Sequence, residues 1–244
     1  CIQAMALHAP KQILKLCAMP GRIEAGADEA GRGALISRVM AAAVIFPATV
    51  PDAAIPLVAK IRDSKKLSPA VREQLYEFIK ATAIAYAIGW ADEREIDAVN
   101  IRQATMNAFH KAFDGLAVRP DHLLVDGPYF QDYTCPVKKR LLPHTCIIQG
   151  DNAFISIASA AILAKVERDR YIKHLCEADP SLDTKYGLLS NMGYGTAEHC
   201  KGIKSWGTSP FHRQSFGICN SAGVTKKERV VAQIPSWDAG DGIE

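Results

Sequence analysis

At 244 residues the chain is long enough for one full hydrophobic core. Its 48% hydrophobic and 23% charged residues exclude the disordered, collagen-like and coiled-coil classes. A formal net charge of +3 is too small to imply indiscriminate polyanion binding, and the longest apolar runs, such as "VMAAAVIF" at 39–46, are core strands rather than membrane spans, so a soluble protein is expected.

Residues 1–20 lack the uninterrupted apolar segment of a signal peptide and do not begin with Met, which reads as a trimmed or partly ordered leader. "RIEAGADEAG" (22–31) and "RVMAAAVIF" (38–46) read as two strands joined by a glycine-containing turn. "SPAVREQLYEFIKA" (68–81) opens with Ser68 as N-cap and Pro69 at the first helical position, so a surface helix is predicted there. "ATAIAYAIGWA" (81–91) is the third strand of an antiparallel meander, and "ATMNAFHKAFDGL" (104–116) repeats apolar residues at helical spacing until Gly115.

"HLLVDG" (122–127) and "TCIIQG" (145–150) are short strands. "DNAFISIASAAILAKVERDRYIKHL" (151–175) is a long helix whose Ala- and Ser-rich first half suits close packing. "TAEHCKGIKSWG" (196–207) is the last helix, after a glycine-rich loop at 187–196. Strands interleaved with helices make this an α/β protein with helical material at its C-terminal end. We expect a leader at 1–20, one domain at 21–217 and a tail at 218–244 without sustained periodicity, disordered or held by a protein partner. The seven cysteines form no Cys-x-x-Cys framework, and reduced thiols in a cytoplasmic protein fit them; His199-Cys200 alone is not half of a zinc site.

Acids stand where an α/β sheet presents chemistry, at strand ends or helix starts: Asp28-Glu29, Asp126 and Asp151. Four carboxylates on three elements can converge on a hard divalent cation such as Mg²⁺ or Mn²⁺, which prefers oxygen ligands. Each has a plainer reading. Adjacent strand residues point to opposite faces unless the strand is ending, Asp151 is well placed as a helix N-cap, and Asp126-Gly127 suits a turn. Paired carboxylates also serve glycosidases.

Seven blocks occur in one order: "GADEAGRG", "DSKKLS", "QATMNAF", "LLVDG", "GDNAFISIASAAILAKVERDR", "GYGTAEH" and "SPFHRQSF". On these the chain resembles the ribonuclease HII family, the type 2 ribonuclease H of bacteria, from about residue 22 to 217. The resemblance implies an RNase H-like mixed sheet flanked by helices, with a helical C-terminal region. It implies metal binding by Asp28, Glu29, Asp126 and Asp151, with two Mg²⁺ or Mn²⁺ ions hydrolysing the phosphodiester 5′ to a ribonucleotide and leaving 3′-hydroxyl and 5′-phosphate ends. The implied substrates are RNA–DNA hybrids and single ribonucleotides in duplex DNA, as in ribonucleotide excision repair, and the implied state is a monomer.

Gly31, Arg32 and Gly33 would sense the 2′-hydroxyl, since glycine lets backbone approach a sugar closely, and Tyr194 matches the family's junction-reading tyrosine. Lys65 and Lys66, in a predicted loop, are candidate phosphate contacts, and Asp169 suits a structural ion pair. The chain departs from the family's pattern at "ALISRVM" after "GRG", where Pro and then Gly-Pro are usual, at Gln149, where lysine is customary, and at Pro128. Rival readings are a binding protein that has lost turnover, a related nuclease acting on DNA alone, and an interaction module working through the tail.

Overall fold

The computed structural model describes residues 13–221. Strands β1 (Glu24–Ala30) and β2 (Val39–Ile45) come first, then the one-turn helix α1 (Ile55–Val58), helix α2 (Pro69–Thr82) and strand β3 (Ala85–Ala91). Helix α3 (Glu93–Gly115) leads to β4 (His122–Asp126), a small hairpin of β5 (Thr134–Cys135) and β6 (Arg140–Leu141), and β7 (His144–Ile147). The long helix α4 (Ile155–Ala178) is followed by α5 (Ser181–Tyr186), α6 (Leu188–Asn191), α7 (Ala197–Trp206) and α8 (Gly217–Ser221).

Among the described residues the main sheet runs β3-β2-β1-β4-β7. The meander β1-β2-β3 is antiparallel as expected, whereas β4 and β7 add on in parallel. All seven residues of β2 are buried, which is what a central strand covered on both faces requires. One face carries α3, with Phe109 and Phe113 against Val39, Ala41 and Leu123. The other carries α4 and α2, with Ile79, Leu75 and Ile162 against Ala42 and Val44. Each such large side chain contributes about 1.5–3 kcal/mol by leaving water.

The predicted packing role of the small residues in α4 is visible at Gly26. A Cβ on that glycine would overlap the backbone of Ser156 and Ile157, so only glycine lets the first turn of α4 lie on β1. The helix starts depend on the expected caps: Ser68 Oγ accepts the Val71 N–H at 3.4 Å, Pro69 opens α2, and Thr196 caps α7 through the His199 N–H at 3.3 Å. Helix α3 begins earlier than the apolar repeat predicts, because Asp92 caps it and Asn100, at φ 70°, kinks it and caps its second half through the Gln103 N–H.

Asp151 does not cap α4. Gln149 takes a left-handed φ of 56°, residues Gly150–Asn152 form a separate 3₁₀ turn, and the N-cap position is Phe154, whose side chain caps nothing. The leader does that work: Ile155 N–H donates to Lys15 O at 2.9 Å and Lys15 N–H to Ala153 O at 3.0 Å. Leu14 and Leu16 pack on the α2/α4 core, so residues 13–20 belong partly to the domain. Gly217–Ser221 continues the helical region past the expected boundary at 217, and the rest of the proposed tail lies outside the described residues, as does the start of the leader.

Candidate active site

Strands β1, β4 and β7 run parallel, so their C-terminal ends open on one edge of the sheet. The β1–β4 ladder stops at Ala27↔Val125, which leaves Asp28 and Asp126 as the next residues on neighbouring strands. β7 ends at Ile147, and the turn after it carries Asp151. Asp28 and Glu29 both line the groove at this edge even though β1 stays paired to β2 through Ala30. The ladder that ends there is the one to β4, and it ends before the acids, freeing that flank.

Asp28 is 8% exposed, and its carboxylate accepts only the Glu29 backbone N–H, at 2.6 Å. Burial first, then the charges of Glu29, Asp126 and Asp151, push its pKa well above the usual carboxylate range. Glu29 is also raised, by burial and by Asp126, against the opposing pull of Arg32, whose guanidinium sits 3.2 Å away. Asp151 rises through burial and the charges of Asp63 and Asp126, with Lys65 and Lys66 opposing. Asp126 does not line the groove; its carboxylate accepts the Gly150 N–H at 2.7 Å, and its charge still reaches Asp28, Glu29 and Asp151.

Acids that raise one another's pKa in a buried edge are short of positive charge. As they stand, no group of three or more His, Cys, Asp or Glu side chains among the described residues is gathered closely enough to hold a metal ion. The fit to Mg²⁺ or Mn²⁺ therefore rests on donor chemistry: Asp28, Glu29 and Asp151 offer carboxylate oxygens to one groove, and such ions bind through few carboxylates and keep the remaining positions for water and phosphate oxygens.

The groove, about 420 Å³, joins Asp28, Glu29 and Asp151 to Gly31, Arg32, Gly33, Lys65, Lys165 and Tyr194. The two predicted lysines separate. Lys65 lines the groove, whereas Lys66 reaches Asn152 Oδ1 at 3.0 Å and Asp63 at 3.3 Å, bracing the turn that carries Asp151.

Three distant blocks are knitted behind the groove. Leu35 N–H donates to Gly193 O at 2.9 Å, Ala34 bridges Tyr194, and Arg213 donates to Arg32 O and Ser37 O, each at 2.9 Å. Arg168 is fully buried beneath them, donating to Met192 O at 2.8 Å and lying 5.2 Å from the Tyr194 ring. A Cβ on Gly31 would overlap Arg168, and one on Gly193 would overlap Ile36, both at positive φ. Gly33 has open space where its Cβ would stand. Tyr194 is 37% exposed, and Lys165 approaches its ring to 5.8 Å.

The sequence model described as Ribonuclease HII matches residues 25–219. Ribonuclease HII of Parabacteroides distasonis is 43% identical over 198 residues, covering 81% of this chain and 92% of that protein. The chain belongs to the ribonuclease HII family. It is a type 2 ribonuclease H, a hydrolase of the RNA strand of RNA–DNA hybrids. Ribonuclease HII of Caldanaerobacter subterraneus is 44% identical over 79% of this chain and 73% of that protein. The fold is that of the ribonuclease H2 of Pyrococcus horikoshii, with a TM-score of 0.64 at 23% identity over 82% of this chain and 96% of that one.

Within this ribonuclease HII fold, Asp169 makes the expected ion pair, to Lys165 at 2.6 Å with Arg72 at 3.9 Å. Residue-level reading missed Lys165, Arg168 and Arg213. The available signal was Lys165, the first charge after the small apolar run Ile155–Ala164, with Arg168 three residues on along the same helix. The departure after "GRG" is absorbed by Ser37, buried at φ 75°, and by Arg38, stacked between Trp90 and Tyr171 with its guanidinium 3.7 and 4.1 Å from the two rings. No described helix is long and apolar enough to cross a membrane.

Proposed function

We propose that this ribonuclease cuts on the 5′ side of a ribonucleotide, both in RNA–DNA hybrids and at single ribonucleotides embedded in duplex DNA, leaving 3′-hydroxyl and 5′-phosphate ends. The observation that carries the reading is the junction of two features in one groove: carboxylates that raise one another's pKa, and a loop pair built around Gly31–Gly33 and Tyr194. Asp28, Glu29, Asp126 and Asp151 would hold two Mg²⁺ or Mn²⁺ ions, which when bound supply an activated water and charge for the leaving oxygen.

The chain's own groups do the rest. Asp126 and Asp151 are held in place by the Gly150–Asn152 turn, and Arg32 restrains Glu29. Gly33, with open space in front of it, is where backbone can approach a ribose, while Gly31 is glycine because of Arg168. Tyr194, held over Arg168, presents a ring for the sugar and a hydroxyl for the 2′-oxygen. Lys65 and Lys165 line the same groove and suit phosphates. The enzyme acts as a monomer in the cytoplasm, in ribonucleotide removal from DNA, and any protein partner of residues 218–244 is separate from this chemistry.

The metal role is tested by calorimetric titration of Mn²⁺ into the protein in two buffers of different ionisation heat. Proton release on binding should grow as the buffer pH is lowered, because a protonated carboxyl must ionise to become a ligand and these acids hold their protons to higher pH than usual. Undiminished binding to Asp28→Asn would remove these acids from the metal site.

A further inference from the structure

Behind Tyr194 lie two histidines that take no part in the chemistry above. His199, on α7, and His212, in the "SPFHRQSF" stretch, are both fully buried, with their Nε2 atoms 3.0 Å apart. The other ring nitrogens face backbone groups of fixed polarity. His212 Nδ1 lies 2.9 Å from the Ser209 N–H, which can only donate, and the Ser209 hydroxyl is 2.8 Å away. His199 Nδ1 lies 3.0 Å from the Tyr194 carbonyl, which can only accept.

Those two ends determine every proton between them. His212 must be bare at Nδ1 and protonated at Nε2, whereas His199 must be protonated at Nδ1 and bare at Nε2. One proton then fits the Nε2···Nε2 contact, and the bonds run one way: Ser209 N–H to His212, His212 to His199, His199 to the Tyr194 carbonyl. A second proton on either ring would set N–H against N–H. Burial agrees, holding His199 below the usual imidazole range and His212, with His199 beside it, down to about 3. The Tyr186 ring closes the pair off, 5.8 Å from His199 and 4.7 Å from His212.

The relay ends on a peptide flanked by glycines. Gly193 has a φ of 80° and Gly195 is exposed; the Tyr194 N–H donates to Asn191 O at 3.0 Å and Ala34 bridges the residue, while its carbonyl takes the Thr196 N–H at 2.8 Å and, from the side chains, the His199 ring. We propose that His199 and His212 are positioning residues for ribonucleotide recognition: a neutral, one-way hydrogen-bond relay of opposite tautomers that fixes the loop presenting Tyr194. The proposal rests on the reading of Tyr194 as the residue that senses the ribonucleotide.

Long-range ¹H–¹⁵N correlation spectra of the full chain at neutral pH read the tautomers directly. The expected result is Nδ1–H for His199 and Nε2–H for His212; the same tautomer in both rings, or an imidazolium in either, overturns the relay. Cleavage supplies the functional arm. His199→Ala should lose roughly tenfold in kcat/KM on a duplex with a single ribonucleotide, the size of one hydrogen bond, and clearly less on a long hybrid. His199→Asn, which keeps a donor near the Nδ1 position, should recover most of that loss. Equal losses on both substrates, or no recovery by asparagine, overturn the positioning role. Wild-type enzyme that leaves the single-ribonucleotide duplex intact defeats the reading of Tyr194 and the relay's role with it, whereas wild-type discrimination that survives His199→Ala defeats the relay alone.

Discussion

The side chain of Arg168 occupies the space that a Cβ on Gly31 would need, so the first glycine of "GRG" answers to a buried arginine and the second, Gly33, to the open groove. Gly31 also has a φ of 91°. Burial, and then the charge of Arg168, push Arg213 down to about 9.

Gly31→Ala should therefore destabilise the fold by about 2 kcal/mol or more, from the strained φ and the displaced guanidinium together. Gly33→Ala should stay within about 0.5 kcal/mol of wild type yet lower cleavage, because its methyl group enters the space the sugar needs. Thermal unfolding and kinetics on the same two variants check this, and Arg32→Ala should cost less activity than a bulky residue at either glycine. Equal stability of the two glycine variants would return both to substrate contact.

Asp126→Asn should abolish turnover while leaving fold and duplex affinity largely intact. The asparagine oxygen can still accept the Gly150 N–H, so the turn after β7 survives, but the ligand charge is gone. Fluorescence anisotropy with labelled duplex, alongside cleavage, separates the two effects. Near-normal cleavage would remove Asp126 from the chemistry.

The raised pKa of Asp28 gives a pH signature. A carboxylate whose folded pKa lies above its unfolded value binds more protons when native, so the metal-free protein loses stability as pH rises from the unfolded value, near 4, through the raised folded one. Bound cations reverse this by stabilising the ionised form. The rise in Tm on adding Mg²⁺ should thus be larger at pH 8 than at pH 5, and Asp28→Asn should unfold at a higher temperature than wild type in EDTA at pH 8. A Mg²⁺ effect independent of pH would contradict the coupling.

Tyr194→Phe keeps the ring over Arg168 and removes one hydroxyl, so it should cost on the order of 1 kcal/mol in transition-state stabilisation, roughly tenfold at most. Tyr194→Ala should cost clearly more. The difference should be greatest on a single ribonucleotide, where the junction is the only feature to read, and steady-state kinetics on the two substrates measures it. Equal losses on both would make Tyr194 a packing residue.

Much of this fold is legible in the sequence because local signals agree with one another. Ser68-Pro69 starts α2, Gly115 ends α3, and short apolar runs set off by a glycine-containing turn mark the meander. The parallel neighbours β4 and β7 were legible only as apolar runs, since pairing partners distant in the chain leave no local trace. Asp151 reads as an N-cap because nothing local reveals that Gln149 adopts a left-handed φ and that Lys15 satisfies the first turn of α4. Arg168 carries no local mark that sets it apart from the other charges of α4. Its burial depends on carbonyls and glycines from blocks far along the chain.

Under the proposed function, a metal-dependent carboxylate cluster cuts duplex DNA beside a ribonucleotide. End-labelled duplex DNA carrying one embedded ribonucleotide, incubated with wild-type enzyme and Mg²⁺ or Mn²⁺, tests it most directly. The account predicts a single nick on the 5′ side of the ribonucleotide with a 3′-hydroxyl end, no nick in EDTA, and an intact all-DNA control. Cutting in EDTA, or equal cutting of the all-DNA duplex, would contradict it.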